Sequence, residues 1–186
     1  MTNFKNFILD VDGVFTDGKF HYTAEGKTFK TFGDADSDAL SLLRNYMHIE
    51  MISGDKRGFE ISKKRINEDM GYSLSMVSTF QRKEWISERF NLAETIYMGD
   101  GIYDVLVFDA IGFSIAPQNA FYNTKAQAKY VTNARGGESA VAEACIFIFE
   151  NFLGIDFNTL IRSSIKQSGI WVNSTSETEK NKYHGY

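Results

Sequence analysis

The sequence predicts an α/β protein: a Rossmann-like, three-layer parallel sheet with helices on both faces. Three observations carry that expectation. Short apolar runs with strand character alternate with helix-like segments from the N-terminus onward, the pattern of parallel strands joined by crossover helices. The 186 residues suit one domain with one core. Apolar residues make up 43% of the chain and charged residues 24%, a balance that folds rather than stays disordered.

The strands are expected at residues 6–10, 49–53, 96–99 and 112–115, with shorter ones near 75–77 and 129–132. Helices fall between them. In 38–47 the residues Ala39, Leu42, Leu43 and Tyr46 make one stripe, and Asp36 or Ser37 could cap it. Residues 59–69 read as a charged helix, and 81–90 place Trp85, Ile86 and Arg89 at helical spacing. Residues 19–32 interrupt the alternation. They hold two short β-like runs around the turn Ala24-Glu25-Gly26, a hairpin that stands directly after an acidic motif. A last strong helix spans 138–152 and ends at Gly154. The polar sequence beyond it divides the chain into a domain of residues 1–154 and a C-terminal extension of 155–186, with 174–182 read as a mobile tail.

A net charge of −4 gives no support to nucleic-acid binding. Cys145 is the only cysteine, which excludes an internal disulfide and fits a reducing, cytoplasmic setting. No secretory signal is expected, and no apolar run is long enough for a membrane span.

Chemistry concentrates where strands end, the edge at which open parallel sheets bind ligands. Asp10-Val11-Asp12-Gly13-Val14-Phe15-Thr16-Asp17-Gly18 follows the first strand, and alternation along an extended segment would point Asp10 and Asp12 the same way. Two acids side by side repel unless something such as magnesium and a phosphate binds between them. Ser53-Gly54 follows the second strand, Lys83 opens a helix, and Gly99-Asp100-Gly101-Ile102-Tyr103-Asp104 follows a further strand. Taken singly these are ordinary: Ser53 reads equally as a turn former and Lys83 as a solvated surface charge. The ordered set is not ordinary.

That set resembles the haloacid dehalogenase-like phosphotransferases. Asp10–Gly18 narrows the likeness to their small, capless branch, which contains phosphatases of 3-deoxy-octulosonate 8-phosphate and of nine-carbon keto-sugar-acid phosphates. The resemblance runs from about Phe4 to Phe152. It also covers the hairpin, Ala116-Pro117-Gln118-Asn119-Ala120, and Tyr130-Val131-Thr132 with the following Gly136-Gly137-Glu138.

The resemblance implies a hairpin flap and no cap domain. It implies Asp10 as nucleophile, forming an aspartyl-phosphate, and Asp12 as general acid and base. Magnesium would be held by Asp10, the Asp12 backbone carbonyl and Asp100. Ser53 and Gly54 would hydrogen-bond the phosphate, Lys83 would neutralise charge, and Asp104 would orient Lys83 or a metal-bound water. Arg135 would reach a substrate carboxylate, and it reads equally as an exposed loop charge. The substrate would be an eight- or nine-carbon keto-deoxy sugar acid phosphate for surface-glycan synthesis, such as lipopolysaccharide or sialic acid. A homotetramer would let a neighbour's hairpin close each cavity.

The chain departs from the family pattern in places. Gly101 stands where the family commonly has an acid. Asp55-Lys56-Arg57 stands where members acting on the eight-carbon acid often have Arg, which leans towards another sugar acid. The alternatives are a phosphatase of a different small sugar phosphate and a non-catalytic oligomerisation module.

Overall fold

The computed structural model describes residues 3–164. Its main sheet has six strands: β1 (Asn6–Asp10), β4 (His48–Ser53), β5 (Ser73–Met76), β6 (Thr95–Met98), β7 (Phe113–Ala116) and β8 (Tyr130–Val131). They run in the order β5-β4-β1-β6-β7-β8 and every neighbouring pair is parallel. The expected α/β layering is therefore present. β1 lies near the middle, with Leu9 beside Met51 of β4 and Met98 of β6.

Side-chain alternation along β1 splits the core in two. Phe7 and Leu9 enter a cluster with Leu40 and Leu43 of α1 (Ala35–Leu43) and Ala144 and Ile148 of α6 (Ala140–Ile148). Ile8 enters the opposite cluster, with Ile86 of α3 (Arg82–Ser87) and Val107 and Phe108 of α4 (Val105–Phe108). Asp10 shares the parity of Ile8, so it ends the strand facing α3. Tyr97 of β6 lies in that same cluster.

The hairpin is a separate two-stranded antiparallel sheet, β2 (His21–Thr23) and β3 (Gly26–Phe29), turning at Ala24 and Glu25. Short helices α2 (Phe59–Lys63) and α5 (Tyr122–Gln127) complete the layers. A wider π-type turn, Lys64–Asp69, continues α2.

Two local expectations change. α1 begins earlier than anticipated and is capped by Asp34, whose Oδ1 accepts from the Ala35 amide at 2.8 Å. Asp36 is instead fully buried and accepts from the Ala142 amide at 2.8 Å, tying the start of α1 to the first turn of α6. The stripe also shifts: Leu40 is buried, whereas Tyr46 is exposed.

Past Gly154, the helix α7 (Phe157–Ser164) turns back on the molecule, with Ile155, Phe157 and Leu160 packed against the first cluster. The tail expected at 174–182 lies outside the described residues. Among the described residues no helix is long and apolar enough to cross a membrane.

Candidate active site

β1 stops at Asp10, and a tight turn follows through Asp12 and Gly13. Gly13 takes φ +86°, a conformation that favours glycine, and a β-carbon there would collide with the Asp100 carboxylate. The turn brings Asp100, at the end of β6, against the backbone of the acidic loop. It also breaks the alternation expected of Asp10 and Asp12, whose carboxylates turn to different partners.

Asp10 is buried, and its Oδ2 accepts from Arg82 Nη1 at 2.7 Å. The same nitrogen donates to Asp104 Oδ1 at 2.6 Å and to the Tyr97 hydroxyl at 3.1 Å. Tyr97 in turn donates to Asp104 Oδ1 at 2.8 Å, and the Gly101 amide fills Asp104 Oδ2 at 2.8 Å. Asp104 thus anchors Arg82 from behind. Burial pushes the Asp10 carboxyl above its ordinary range against the pull of Arg82. Burial, then the charges of Asp10 and Asp104, holds Asp100 well above the ordinary carboxylate range too.

Lys83 is not in this constellation. It is exposed, while its neighbour Arg82 is 3% exposed and supplies the buried cation. Successive helical side chains point about 100° apart, so only one of two adjacent cations can face the sheet. The single-turn helix Thr79–Gln81 sets the phase and turns Arg82 inward. Arg82 lines the cavity, and its Nε is buried without a hydrogen-bond partner.

Asp12 makes a second constellation. Its Oδ2 accepts from Ser53 Oγ at 3.2 Å, so Ser53 faces Asp12, and its Oδ1 pairs with Lys30 Nζ at 2.8 Å. Lys27 pairs with Asp55 close by. Neither hairpin lysine stood out in the sequence. Arg135 is exposed, donates to Gln118 Oε1 at 3.1 Å, and does not line the cavity. That cavity is about 550 Å³ and is lined by Asp10, Asp12, Gly54, Asp55, Arg82 and Asp100, with Phe20, Tyr22, Lys27, Lys56 and Arg57 around it. Its size suits a small-molecule site.

Asn119 and Gly136 brace the acidic loop. Asn119 Nδ2 donates to the Gly13 carbonyl at 2.9 Å, and its Oδ1 accepts from the Gly136 amide at 2.6 Å. A β-carbon at Gly136 would strike the Gly13 carbonyl.

Residues 86–144 match the family of haloacid dehalogenase-like hydrolases. The chain is also 30% identical over 156 residues to the 3-deoxy-D-manno-octulosonate 8-phosphate phosphatase KdsC of Haemophilus influenzae, covering 81% of this chain and 85% of that one. It belongs to the haloacid dehalogenase-like hydrolases. Within them it stands in the 3-deoxy-D-manno-octulosonate 8-phosphate phosphatase branch, and it is a phosphatase. The structure of 3-deoxy-D-manno-octulosonate 8-phosphate phosphatase from Moraxella catarrhalis, in complex with a magnesium ion, a phosphate ion and a KDO molecule, superposes with a TM-score of 0.74. It is 26% identical, and the match covers 87% of this chain and 94% of that one. A hydrolase of the same superfamily from Legionella pneumophila gives 0.77 at 26% identity, covering 89% and 92%.

The haloacid dehalogenase-like site fits magnesium on its own geometry. Carboxylate oxygens of Asp10, Asp100 and Asp104 lie within 4.8 Å of one another, the hard donors this cation prefers. Asp104 is fully buried behind Arg82, whereas Asp10 and Asp100 line the cavity, so those two carboxylates would hold the ion. Burial raises the proton affinity of both carboxyls despite the pull of Arg82, a cost that a bound cation would offset. Magnesium is the cofactor of this phosphatase.

A pH dependence follows. Asp10 and Asp100 hold protons more tightly in the fold than in the unfolded chain. The stability this contributes to the metal-free protein is present below the ordinary aspartate range and is lost as pH rises through the raised values. A divalent cation replaces those protons, so its own stabilisation grows with pH. Thermal melts should show a larger magnesium-induced rise in Tm at about pH 8 than at about pH 5.5. Equal shifts at both would contradict the assignment.

Proposed function

We propose that the chain hydrolyses the phosphate monoester of an eight- or nine-carbon keto-deoxy sugar acid through an aspartyl-phosphate on Asp10. The observation that carries the mechanism is the Asp10–Arg82–Asp104 chain at the end of the central strand, with Asp100 beside it. Asp10 Oδ bonds to phosphorus as the ester P–O bond breaks, and the departing oxygen takes a proton from Asp12. Water then attacks phosphorus, gives its proton to Asp12, and the Asp10–phosphorus bond breaks to release phosphate. Asp10, Asp100 and the Asp12 carbonyl would hold magnesium, which would supply the positive charge that lets a carboxylate approach a phosphate. Arg82 fixes Asp10 and brings its guanidinium charge to the cavity wall beside the phosphate, the role expected of Lys83. Gly54 borders the cavity, where its amide would serve the phosphate, whereas the Ser53 hydroxyl expected to share that task is buried and donates to Asp12 instead.

The relatives' substrate supports a sugar acid, and so does the cationic rim. Lys56 and Arg57 are exposed at the mouth of the cavity and suit a substrate carboxylate, the task first expected of Arg135. Exposed Phe20, Tyr22 and Phe29 on the hairpin support a homotetramer in which neighbours cover these rings. Cytoplasmic action fits the lone, buried Cys145.

A substrate panel tests the reading. Phosphate release should be faster, by about 10-fold or more in kcat/KM, from eight- and nine-carbon keto-deoxy acid phosphates than from hexose phosphates. Equal rates would favour the other reading, a phosphatase of general small sugar phosphates.

A further inference from the structure

Lys30 is an unexpected residue to bury. Its side chain is wholly enclosed although it directly follows Thr28 and Phe29, the exposed end of β3. An ammonium has three N–H donors and no acceptor. All three have partners: Asp12 Oδ1 at 2.8 Å, Asp55 Oδ2 at 3.0 Å and Ser62 Oγ at 2.8 Å. These partners come from the acidic loop, the segment after β4, and α2. The position of the ammonium is therefore set from three sides before any substrate arrives.

Asp12 is held on its other side by Ser53 Oγ, which in turn accepts from the Asp55 amide at 3.1 Å. The two holds differ in kind. A hydroxyl can donate or accept, so Ser53 tolerates a proton on Asp12 Oδ2. Lys30 can only donate, so it occupies Asp12 Oδ1 as an acceptor.

We propose that Lys30 is a positioning residue for acid catalysis, which confines the transferable proton of Asp12 to Oδ2 and fixes the direction in which it is delivered. The proposal rests on Asp12 acting as the general acid. In that step the phosphorus–oxygen bond of the substrate breaks, its electron pair stays on the departing oxygen, and the proton on Asp12 Oδ2 moves to that oxygen. Asp10 gains the phosphoryl group, and Asp12 is left as a carboxylate between Ser53 and Lys30. The hairpin thereby contributes to chemistry within its own subunit.

A purely structural Lys30 would hold the hairpin to the domain and nothing more. The two roles separate by leaving group. Poor leaving groups need the proton and good ones do not, whereas a structural defect slows both alike. The experiment compares kcat/KM for phenyl phosphate and 2,4-dinitrophenyl phosphate, with magnesium saturating, in the wild-type protein, Lys30→Met, Lys30→Arg, Ser62→Ala and Asp12→Asn. Lys30→Met is expected to lose on the order of 100-fold on phenyl phosphate and less than about 5-fold on the dinitrophenyl ester. Lys30→Arg, which keeps the charge, should recover part of the phenyl activity. Ser62→Ala removes one tether without touching an acid and should show the same split at about 3-fold. It keeps the test decisive if Lys30→Met does not fold.

Equal losses on both esters, or no loss on either, in the folded variants would overturn the role of Lys30. Asp12→Asn tests the underlying reading separately. If it shows no leaving-group split, Asp12 is not the acid and the proposal goes with it. If it shows the split while Lys30→Met and Ser62→Ala do not, the acid stands and Lys30 is only a tether.

Discussion

Asp10→Asn is expected to bring phosphate release down to the uncatalysed background, a loss on the order of 10⁴-fold or more on any phosphomonoester. The substitution keeps the shape of the side chain and the oxygen that accepts from the Val11 amide at 2.8 Å, so the fold should survive. What it removes is the anionic oxygen proposed to attack phosphorus and one of the two carboxylates proposed to hold magnesium. The magnesium-induced rise in Tm should shrink in the same variant. Rapid acid quench should trap a phosphorylated protein with the wild-type sequence and none with the Asp10→Asn variant. Steady turnover by the purified variant, at a rate near the wild type, would sink the covalent mechanism.

Arg82→Met is expected to lower kcat by about 10²- to 10³-fold, whereas Lys83→Ala should stay within about 2-fold of the wild type. Arg82 contacts Asp10, Asp104 and Tyr97 through one nitrogen, and no other cation reaches Asp10 among the described contacts. Its removal leaves two buried acids uncompensated, which costs about 3–5 kcal/mol of stability in comparable cases. Arg82→Lys separates charge from geometry. It restores a cation but not the planar fork, and should recover stability more fully than rate. Melting curves beside kinetics check this. A large loss in Lys83→Ala with a mild one in Arg82→Met would return the catalytic cation to Lys83.

The contrast between these two neighbours shows where the sequence was readable. β1 was predicted at its observed bounds because a buried central strand is a continuous apolar run closed by acids. Asp100 and Asp104 were found because a strand end fixes the positions that follow it. Arg82 was missed because α3 is short and follows a single-turn helix, so its phase depends on geometry that propensity does not record. Lys27 and Lys30 were missed for a related reason. A hairpin lying outside the main core offers no apolar alternation to tell inward from outward positions. Tyr97 reads as a core aromatic, and only the fold shows its hydroxyl against Asp104. Asp12 was assigned the right neighbourhood and the wrong direction, since Gly13 ends the strand-like path that alternation assumes.

The brace across the acidic loop also bears on how the enzyme is made. Asn119 bonds Gly13 across 106 positions of sequence, and Gly136 seats on the same carbonyl. During translation the loop is therefore synthesised long before its supports leave the ribosome. A nascent or prematurely terminated chain could assemble the early strands and still be inert. Turnover in this protein thus requires a chain made at least through Gly136, and a nonsense lesion ahead of position 119 should leave no partial activity to select.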